Sequence, residues 1–480
     1  MELLIRMSSQ LLLTLGLGYY FMSAMQWYSY RLERLCFHYH RYDWHLYFLA
    51  IPLAGYYLLS GWPILLWSVG YLISLFAWYR KLDKKLVFTP RVKRFFLFLL
   101  LAALFQDTLC ISVWRGCETF GVLIPLLTAH MIALAYEKIL FAGFKQSARQ
   151  KLMHNPSLKV VAITASYGKT SIKNFLAHIL SFAYRVYKTP RSVNTLGGII
   201  KDINENLPEA CDIYIVEAGA RLKGDIDEIA RFVNPHIAVV GCIGAQHIEY
   251  FKTLENIRNT KMELLHSARL ERAFVHESAH AKEGGCISVF GSEIITHVDA
   301  TLEGLSFTLP IEGKEERFHC NLLGAFNAAN LSAAIYVAHA LGIDTETIRA
   351  SISTLRSVEH RLERIEAGGK IIIDDSFNGN LEGMLGSYDL IATYQGRKVI
   401  ITPGIVESNE HDNTLLAKKI DDVFDLVIIT GKTNVTILNK AIQKAQKIIL
   451  SDKSTLQDVL AEFTQKGDII LFSNDAPNFM

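Results

Sequence analysis

The chain has 480 residues, half of them hydrophobic, and its 49 basic and 47 acidic residues leave a formal net charge of +2 at neutral pH. This length suits about three domains, and the balanced charge gives no sign of nucleic acid as a partner. The seven cysteines are scattered without Cys-x-x-Cys spacing. Their pattern argues against a structural zinc site or a disulfide framework, and it fits a reducing compartment.

The first third of the chain is apolar and aromatic. Five apolar stretches precede Gln150, namely Leu11–Trp27, Leu46–Ser60, Pro63–Trp78, Phe95–Val113 and Gly121–Leu140. Several approach the ~20 residues needed to cross hydrocarbon, and Tyr and Trp cluster at their ends. We therefore predict a membrane region over residues 1–150 with about five transmembrane helices, or about four if the second and third stretches form a re-entrant hairpin.

Basic residues predict the orientation of this region. The loop after the third stretch contains seven of them, Arg80, Lys81, Lys84, Lys85, Arg91, Lys93 and Arg94. The loop after the fourth stretch contains only Arg115. Loops rich in Lys and Arg stay in the cytoplasm. We therefore predict a multi-pass protein of the inner (cytoplasmic) membrane, with the N-terminus outside and the C-terminal two-thirds in the cytosol.

The next informative stretch begins with the apolar residues Val160–Ile163 and continues through small residues into Gly168-Lys169-Thr170-Ser171 and a helical pattern. Backbone N–H groups and the helix dipole at such a turn favour a phosphate. Lys169 would contact the β- and γ-phosphates, and the Thr170 hydroxyl would contact Mg²⁺. The first glycine of the strict phosphate-loop pattern is absent, so a lysine at an ordinary strand–helix turn remains the alternative.

Two further strands end in polar residues. Asp212–Val216 is followed by Glu217, and His236–Gly241 leads to a loop with His247 and a helix that contains Lys261. An acid at the carboxyl end of a parallel strand lies in the crevice where ligands bind. Glu217 is therefore a candidate Mg²⁺ ligand, because its oxygen atoms suit a hard cation.

These segments together resemble the ATP-binding core of the Mur ligase family. The matching pieces are TASYGKTS (164–171), EAGA (217–220), GAQHIEYF (244–251) and the lysine at 261. GAFNAAN (324–330) and HRLERI (360–365) resemble its later elements, and IIIDDSFNGN (371–380) resembles the D-alanyl-D-alanine-adding members in particular. The resemblance runs from about Leu158 to the C-terminus.

The apolar stretches and the resemblance together predict an α-helical membrane region followed by α/β domains. The Mur ligase central phosphate-loop domain would cover 151–355, and a smaller Rossmann-like C-terminal domain would cover 356–480. Five strands are expected in the latter, at Ile371–Asp374, Lys398–Thr402, Leu426–Thr430, Lys447–Leu450 and Asp468–Phe472. The membrane segments replace the family's usual N-terminal uridine-binding domain.

The family also implies roles for individual residues, with ATP and Mg²⁺ as cofactors. ATP would contact Ser166, Tyr167, Gly168, Lys169, Thr170, Ser171, Asn327, Asn330, Arg361 and Asp375. Metal ligands would be Thr170, Glu217, His247 and Lys261, the last matching a lysine that several members carbamylate. Catalysis would depend on Lys169, His247, Lys261 and Arg361. The substrate side would include Asn194, Thr195, Asn378 and Asn380.

The implied activity is formation of an amide bond through an acyl phosphate, adding D-Ala-D-Ala to UDP-MurNAc-tripeptide. The implied partners are this nucleotide-linked cell-wall precursor, the dipeptide, the lipid bilayer and membrane proteins of cell-wall synthesis. Two residues depart from the family pattern, since Ala165 replaces a glycine and Phe326 replaces a histidine. Neither change removes a charge or a metal ligand.

Three other functions stay open. A folylpolyglutamate- or cyanophycin-type ligase, or one with a lipid-linked acceptor, would share the ATP core. A transporter with an attached ATPase would carry charges inside its spans, where Asp107 is a candidate. An inactive membrane-tethered scaffold is compatible with Ala165 and Phe326. Two further motifs are given bland interpretations: Gly431-Lys432-Thr433 as a surface loop, and the cluster Cys36, His38, His40, Asp43 and His45 as an interfacial polar segment.

Overall fold

The computed structural model describes residues 2–28, 30, 32, 35, 42–82, 84–112, 121–377, 379–406, 408–431, 433–450 and 452–474. They form two compact units, Met1–Lys145 and Gln146–Met480. The first boundary therefore lies five residues before the one expected at 150. Cys36, His38, His40, Asn378 and Lys432 lie outside the described residues.

The first unit is built from helices. Their bounds are α1 Glu2–Trp27, α2 Tyr42–His45, α3 Ile51–Leu58, α4 Trp62–Arg80, α5 Pro90–Ser112 and α6 Leu123–His154, the last continuing into the second unit. Among the described residues, α4, α5 and α6 are long and apolar enough to cross a membrane, judged by length and composition. Two of the five apolar stretches are not among these helices. The first lies in α1, which is long enough but does not meet the standard, and the second is divided between a π-helical turn at Leu46–Ala50 and the short α3.

One cysteine departs from the expectation of reduced thiols. Cys110, near the end of α5, is disulfide-bonded, whereas Cys211, Cys242, Cys286 and Cys320 of the second unit are free. Disulfides persist in oxidising compartments. The predicted orientation places this end of α5 on the outer side of the membrane, and that orientation stays a prediction.

The second unit begins with a parallel sheet. Its strands are β1 Lys159–Thr164, β2 Val186–Lys188, β3 Ile213–Glu217, β4 Ile237–Val240, β5 Arg272–His276 and β6 Ile287–Phe290, in the order β2-β3-β1-β4-β5-β6. The helices between them are α7 Lys169–Leu180, α8 Leu196–Asn206, α9 Asp225–Val233, α10 Ile248–Phe251 and α11 Leu254–Met262. The strands read as nearly continuous apolar runs because helices cover both faces of the sheet. Apolar cores accordingly lie on each side.

An antiparallel sheet and two helices complete the middle of the chain. The strands are β7 Thr296–Thr301, β8 Gly304–Ile311 and β9 Lys314–Cys320. The helices are α12 Asn327–Ala340 and α13 Thr345–Ser353. Leu331 and Ile335 of α12 share one core with Phe175 of α7 and Phe307 of β8. This packing fixes the start of α12 beside the phosphate loop.

The last sheet is mixed. Its strands are β10 Glu363–Ala367, β11 Lys370–Asp375, β12 Lys398–Thr402, β13 Leu426–Thr430, β14 Gln446–Leu450 and β15 Ile469–Ser473, in the order β10-β11-β15-β12-β13-β14. The strand β10 is antiparallel to β11, and the other pairs are parallel. The helices are α14 Leu381–Ala392, α15 Glu410–Val423, α16 Val435–Ala441 and α17 Leu456–Phe463. The segment between Ser353 and Glu363 links the sheets, and the boundary expected at 355 falls inside it.

Candidate active site

The phosphate loop lies between β1 and α7. Gly168 has φ +82°, a conformation that glycine adopts at little cost, and it precedes the first residue of α7. Lys169 folds back over the loop, where its Nζ donates to the carbonyl oxygens of Ala165 (2.7 Å) and Ser166 (2.9 Å). The pKa of Lys169 is lowered to about 8, mainly by burial, with Glu217 opposing the shift and Arg361 adding to it. The ammonium is thus held where a phosphate would meet it.

Glu217 is the meeting point of three segments. It ends β3 beside β1, and its side chain is 1% exposed. Its Oε2 accepts hydrogen bonds from Thr170 Oγ1 (3.0 Å) and Lys173 Nζ (2.9 Å), and its Oε1 accepts one from Asn194 Nδ2 (3.2 Å). Thr170 and Glu217, the two residues predicted to hold Mg²⁺, are therefore hydrogen-bonded to each other, and their binding of the metal stays a prediction.

The segment after β4 packs against the phosphate loop. Ser166 N donates to Cys242 O (2.8 Å), and Ser166 Oγ donates to Gly244 O (3.0 Å). A Cβ at Gly244 would lie 2.4 Å from the Tyr167 ring. Gln246 Oε1 lies 3.4 Å from Lys169 Nζ. The neighbouring His247, at φ +58°, has its ring edge-on to Tyr250, and its role as a second metal ligand stays a prediction.

Lys261 of α11 is almost fully buried, at 4% exposure. Burial holds its pKa well below the ordinary range, and the charge of Lys169 lowers it further, while Asp225, Glu217 and Glu263 act in the opposite direction. Lys261 therefore lies within electrostatic reach of both Lys169 and Glu217. A buried amine that gives up its proton readily is suited to carbamylation, which needs the neutral form.

The start of α12 contacts the phosphate loop directly. Asn327 and Asn330 are both buried, and Asn330 Nδ2 donates to Asn327 Oδ1 (3.1 Å). A Cβ at Gly168 would lie 2.2 Å from Asn330 Oδ1. The two asparagines proposed for adenine therefore lie beside the loop proposed for phosphate. Phe326, just before them, is 42% exposed, which leaves a face on which a base could stack.

The segment before the last sheet brings an arginine to the same place. Arg361 NH1 donates to Phe377 O (2.9 Å), and its guanidinium lies 4.7 Å from the centroid of the Phe377 ring. Burial lowers the pKa of Arg361, and Asp375 and Glu217 oppose that shift. Burial likewise raises the pKa of Asp375 to about 6, against the effect of Arg361. Arg361 thus connects the C-terminal sheet electrostatically to Glu217.

Backbone strain surrounds Arg361. His360 and Leu362 have φ +62° and +50°, values that non-glycine residues seldom adopt. His360 Nδ1 pairs with Asp374 Oδ2 at 2.7 Å. Strained residues of this kind cluster where a side chain has to be placed for function.

The residues predicted for the substrate side fall into two groups. Asn194 contacts Glu217, and its backbone oxygen accepts from Gly219 N (2.7 Å). Thr195 and Asn380 instead cap helices, accepting from Gly198 N and Gly383 N. Capping contributes about 1 kcal/mol to a helix. Thr195 and Asn380 therefore stabilise helices, whether or not they also contact the substrate.

No sequence motif marks Lys173 or the carbonyl of Arg191 as part of the site. Lys173 Nζ contacts both Glu217 Oε2 and Arg191 O. The spacing in the sequence does indicate the location of Lys173, because a residue four positions after Lys169 lies on the same face of the helix. The backbone contact with Arg191 leaves no signal in the sequence.

The oxygen donors present fit a small hard cation. Thr170 and Glu217 supply a hydroxyl and a carboxylate within hydrogen-bonding distance of each other. In the part of the chain that the structure describes, no group of three or more His, Cys, Asp or Glu side chains forms a metal cage. Mg²⁺ usually takes one or two protein oxygens and completes its shell with water and phosphate. The site therefore suits Mg²⁺ bound together with a nucleotide.

The site combines a phosphate loop on a parallel sheet, an acid at the end of the adjacent strand and an arginine from the segment before a second sheet. This combination is typical of a nucleotide-dependent enzyme. Residues 163–338 match the family described as the Mur ligase middle domain. The chain therefore contains a Mur ligase middle domain, the ATP-binding domain of a family of amide ligases that use ATP and Mg²⁺.

Individual relatives agree with this assignment. The UDP-N-acetylmuramoyl-tripeptide–D-alanyl-D-alanine ligase of Bacillus subtilis is 29% identical over 335 residues, covering 65% of this chain and 72% of that enzyme. The enzyme of the same name from Synechocystis is 26% identical over 391 residues, covering 77% and 81%. The crystal structure of MurF ligase from Thermotoga maritima in complex with ADP has a TM-score of 0.60 at 23% identity, covering 70% of this chain and 80% of that one. The Mur ligase fold expected from the sequence is confirmed.

Proposed function

We propose that this protein adds D-alanyl-D-alanine to a UDP-N-acetylmuramoyl-tripeptide at the cytoplasmic face of a membrane. The named relatives from Bacillus subtilis and Synechocystis carry this activity in their names. The segment 371–380 of this chain adds support, because it resembles the same branch of the family.

The observation that carries the proposal is the convergence of cations on one carboxylate. Lys169, Lys261 and Arg361 come from three separate segments, and the negative charge of Glu217 opposes the lowering of the pKa of each by burial. The reaction brings the γ-phosphate of ATP and a substrate carboxylate together, and these two anions repel one another. A preorganised cationic pocket lowers that barrier.

The reaction has two steps, formation of an acyl phosphate and formation of the amide. An oxygen of the acceptor carboxylate attacks the γ-phosphorus, ADP leaves, and an acyl phosphate forms on the acceptor. The amine of the dipeptide then attacks the acyl carbon, inorganic phosphate leaves, the amine loses a proton, and an amide remains. Lys169 and Arg361 would hold the transferring group between them, and Mg²⁺ would supply further charge neutralisation when bound.

In the sequence, the helices of the first unit stand where the family usually has its uridine-binding domain. Two arrangements of the acceptor site follow. Either the second unit binds the uridine precursor with help from the basic loop at 80–94, or the first unit presents a lipid-linked acceptor. A scaffold without activity is the third outcome of the test below.

The test is ATP-dependent phosphate release by the full-length protein in detergent. It is offered UDP-MurNAc-tripeptide with and without D-Ala-D-Ala, and the amide product is identified by mass spectrometry. We expect release and product only when both substrates are present. The Lys169→Ala variant should lose activity by at least about 10³-fold.

The other outcomes separate the alternatives. Release that does not depend on the dipeptide would contradict ligation of D-Ala-D-Ala. Product formed only with a lipid-linked acceptor would replace the nucleotide-linked substrate. Tight binding of nucleotide with no release under any condition would favour the scaffold.

A further inference from the structure

The helix that follows the phosphate loop carries a second lysine that points into the site. Lys173 lies one turn after Lys169 on α7. Its side chain is 1% exposed, and its Nζ lies 2.9 Å from Glu217 Oε2. A buried lysine is costly unless it is paired and hydrogen-bonded. Glu217 therefore compensates the charge of the buried Lys173, and Lys173 in turn holds the Glu217 carboxylate in place.

The second partner of Lys173 is a strained backbone carbonyl. Its Nζ donates to Arg191 O at 2.5 Å. Arg191 has φ +43°, a left-handed conformation that a residue with a Cβ adopts only when its surroundings impose it. The ammonium of Lys173 is the group that stabilises this carbonyl orientation.

The same loop is attached to Glu217 at a second point. Asn194 Nδ2 donates to Glu217 Oε1 (3.2 Å), while Lys173 occupies Oε2. The segment 190–195 is thus fixed to both oxygens of one carboxylate, once by its own amide and once through Lys173. Lys173 closes a ring that joins α7, this loop and the end of β3.

We propose that Lys173 is a positioning residue that fixes the Glu217 carboxylate and the loop 190–195 relative to one another. Through this loop, Lys173 places the acceptor side of the site against the phosphate side. The effect of Lys173 on the acceptor rests on the proposed ligase function, in which the loop 190–195 would contact the nucleotide-linked acceptor.

The first test measures the stability of the full-length protein in detergent, without nucleotide or metal. Lys173→Met keeps the length of the side chain and removes the charge, leaving Glu217 buried without a cation. We expect the midpoint of thermal unfolding to fall by on the order of 5 °C. Adding Glu217→Gln to Lys173→Met should recover more than half of that loss. Losses that simply add would overturn the proposal, since they would mean that the two side chains act independently.

The second test uses trypsin, which cleaves after arginine. Arg191 is exposed, so loss of its carbonyl contact should make the Arg191–Ser192 bond more accessible. In Lys173→Met we expect cleavage at this bond to accelerate at least about tenfold relative to other sites. An equal acceleration at all sites would indicate general destabilisation and would contradict the proposal.

A matched control lies on the neighbouring strand. Lys188 donates a hydrogen bond to Asn174 Oδ1 on the same helix, and within the described residues it makes no hydrogen bond with Glu217 or Arg191. Lys188→Met should change neither the cleavage at Arg191 nor the coupling with Glu217→Gln.

The kinetic test compares two Michaelis constants. Lys173→Met should raise KM for the nucleotide-linked acceptor at least about tenfold and change KM for ATP by less than about threefold. An unchanged KM for the acceptor would contradict a positioning role. An equal rise in KM for the acceptor and for ATP would contradict it as well. If the wild type ligates nothing, the proposed function fails, while the unfolding and trypsin tests still decide the role of Lys173.

Discussion

Asn330 lies directly on Gly168, so that a Cβ at position 168 would stand 2.2 Å from Asn330 Oδ1. The contact joins the loop proposed for phosphate to the helix proposed for adenine, two segments separated by more than 150 residues of sequence. The absence of a side chain at 168 is therefore required twice, once by the positive φ and once by the neighbouring amide.

Replacing Gly168 by Ala tests whether the contact with Asn330 is needed for activity as well as for stability. The new Cβ would displace Asn330 or the loop, and a misplacement of about 1 Å lowers activity on the order of 10²-fold. Gly342→Ala is the matched control, because Gly342 has φ +91° with nothing within 4 Å of its Cβ position. Both variants should lose similar stability in thermal unfolding, whereas only Gly168→Ala should lose phosphate release and binding of ADP. Equal activity in the two variants would contradict the importance of the Asn330 contact.

Arg361 should matter for rate more than for folding. Its guanidinium is coupled to Asp375 and Glu217, so Arg361→Gln removes a charge that acts on the transferring phosphate. We expect kcat to fall on the order of 10²-fold. Arg364→Gln serves as the control, since Arg364 pairs with Glu303 and Glu366 away from the site. A kcat for Arg361→Gln within a factor of about two of the control would argue against a catalytic role.

His360 predicts a pH-dependent contribution to stability. Its hydrogen bond with Asp374 raises the pKa of the imidazole above its usual value. The stabilisation is therefore complete below the unfolded pKa of about 6.5 and is lost as the pH rises through the folded pKa. The pair is partly exposed, so it contributes no more than about 1 kcal/mol.

The variant for this test is His360→Asn, because Asn tolerates the left-handed backbone. The difference in unfolding temperature between wild type and variant should be largest near pH 6 and should shrink towards pH 8.5. A difference that grows with pH would show that the sign of the linkage is wrong.

The predicted orientation in the membrane can be tested with single cysteines in a variant that lacks the native ones. Ser60→Cys lies in the loop expected outside, and Lys85→Cys lies in the basic loop expected inside. A maleimide that cannot cross the membrane should label position 60 in intact cells and position 85 only after lysis. The reverse pattern would place the second unit on the wrong side for ATP.

Much of the sheet structure was predictable because buried parallel strands are short, continuous apolar runs. The strands expected at Lys398–Thr402 and Leu426–Thr430 have the bounds found in the structure, and the expected Val160–Ile163 lies inside β1. Glu217 ends β3, as its position after an apolar run indicated. Because neighbouring strands of a parallel sheet end at the same edge, the grouping of the residues that follow them could be predicted from the strands alone.

Other features depend on contacts that a sequence does not display. The antiparallel sheet β7-β8-β9 escaped prediction because β7, Thr296–Thr301, is polar and largely exposed. The second apolar stretch has the composition of a membrane helix but is divided by a π-helical turn. Lys173 was unremarked because its partners, Glu217 and the Arg191 carbonyl, are far away in the chain.

The arrangement around Glu217 has a consequence for sequence change. Its two oxygens accept from Thr170, Lys173 and Asn194 at once. A substitution at any one of these four positions leaves the remaining groups mismatched in charge or hydrogen bonding. We therefore expect substitutions at these positions to occur together, so that a homologue without the carboxylate has a neutral residue in place of the buried lysine.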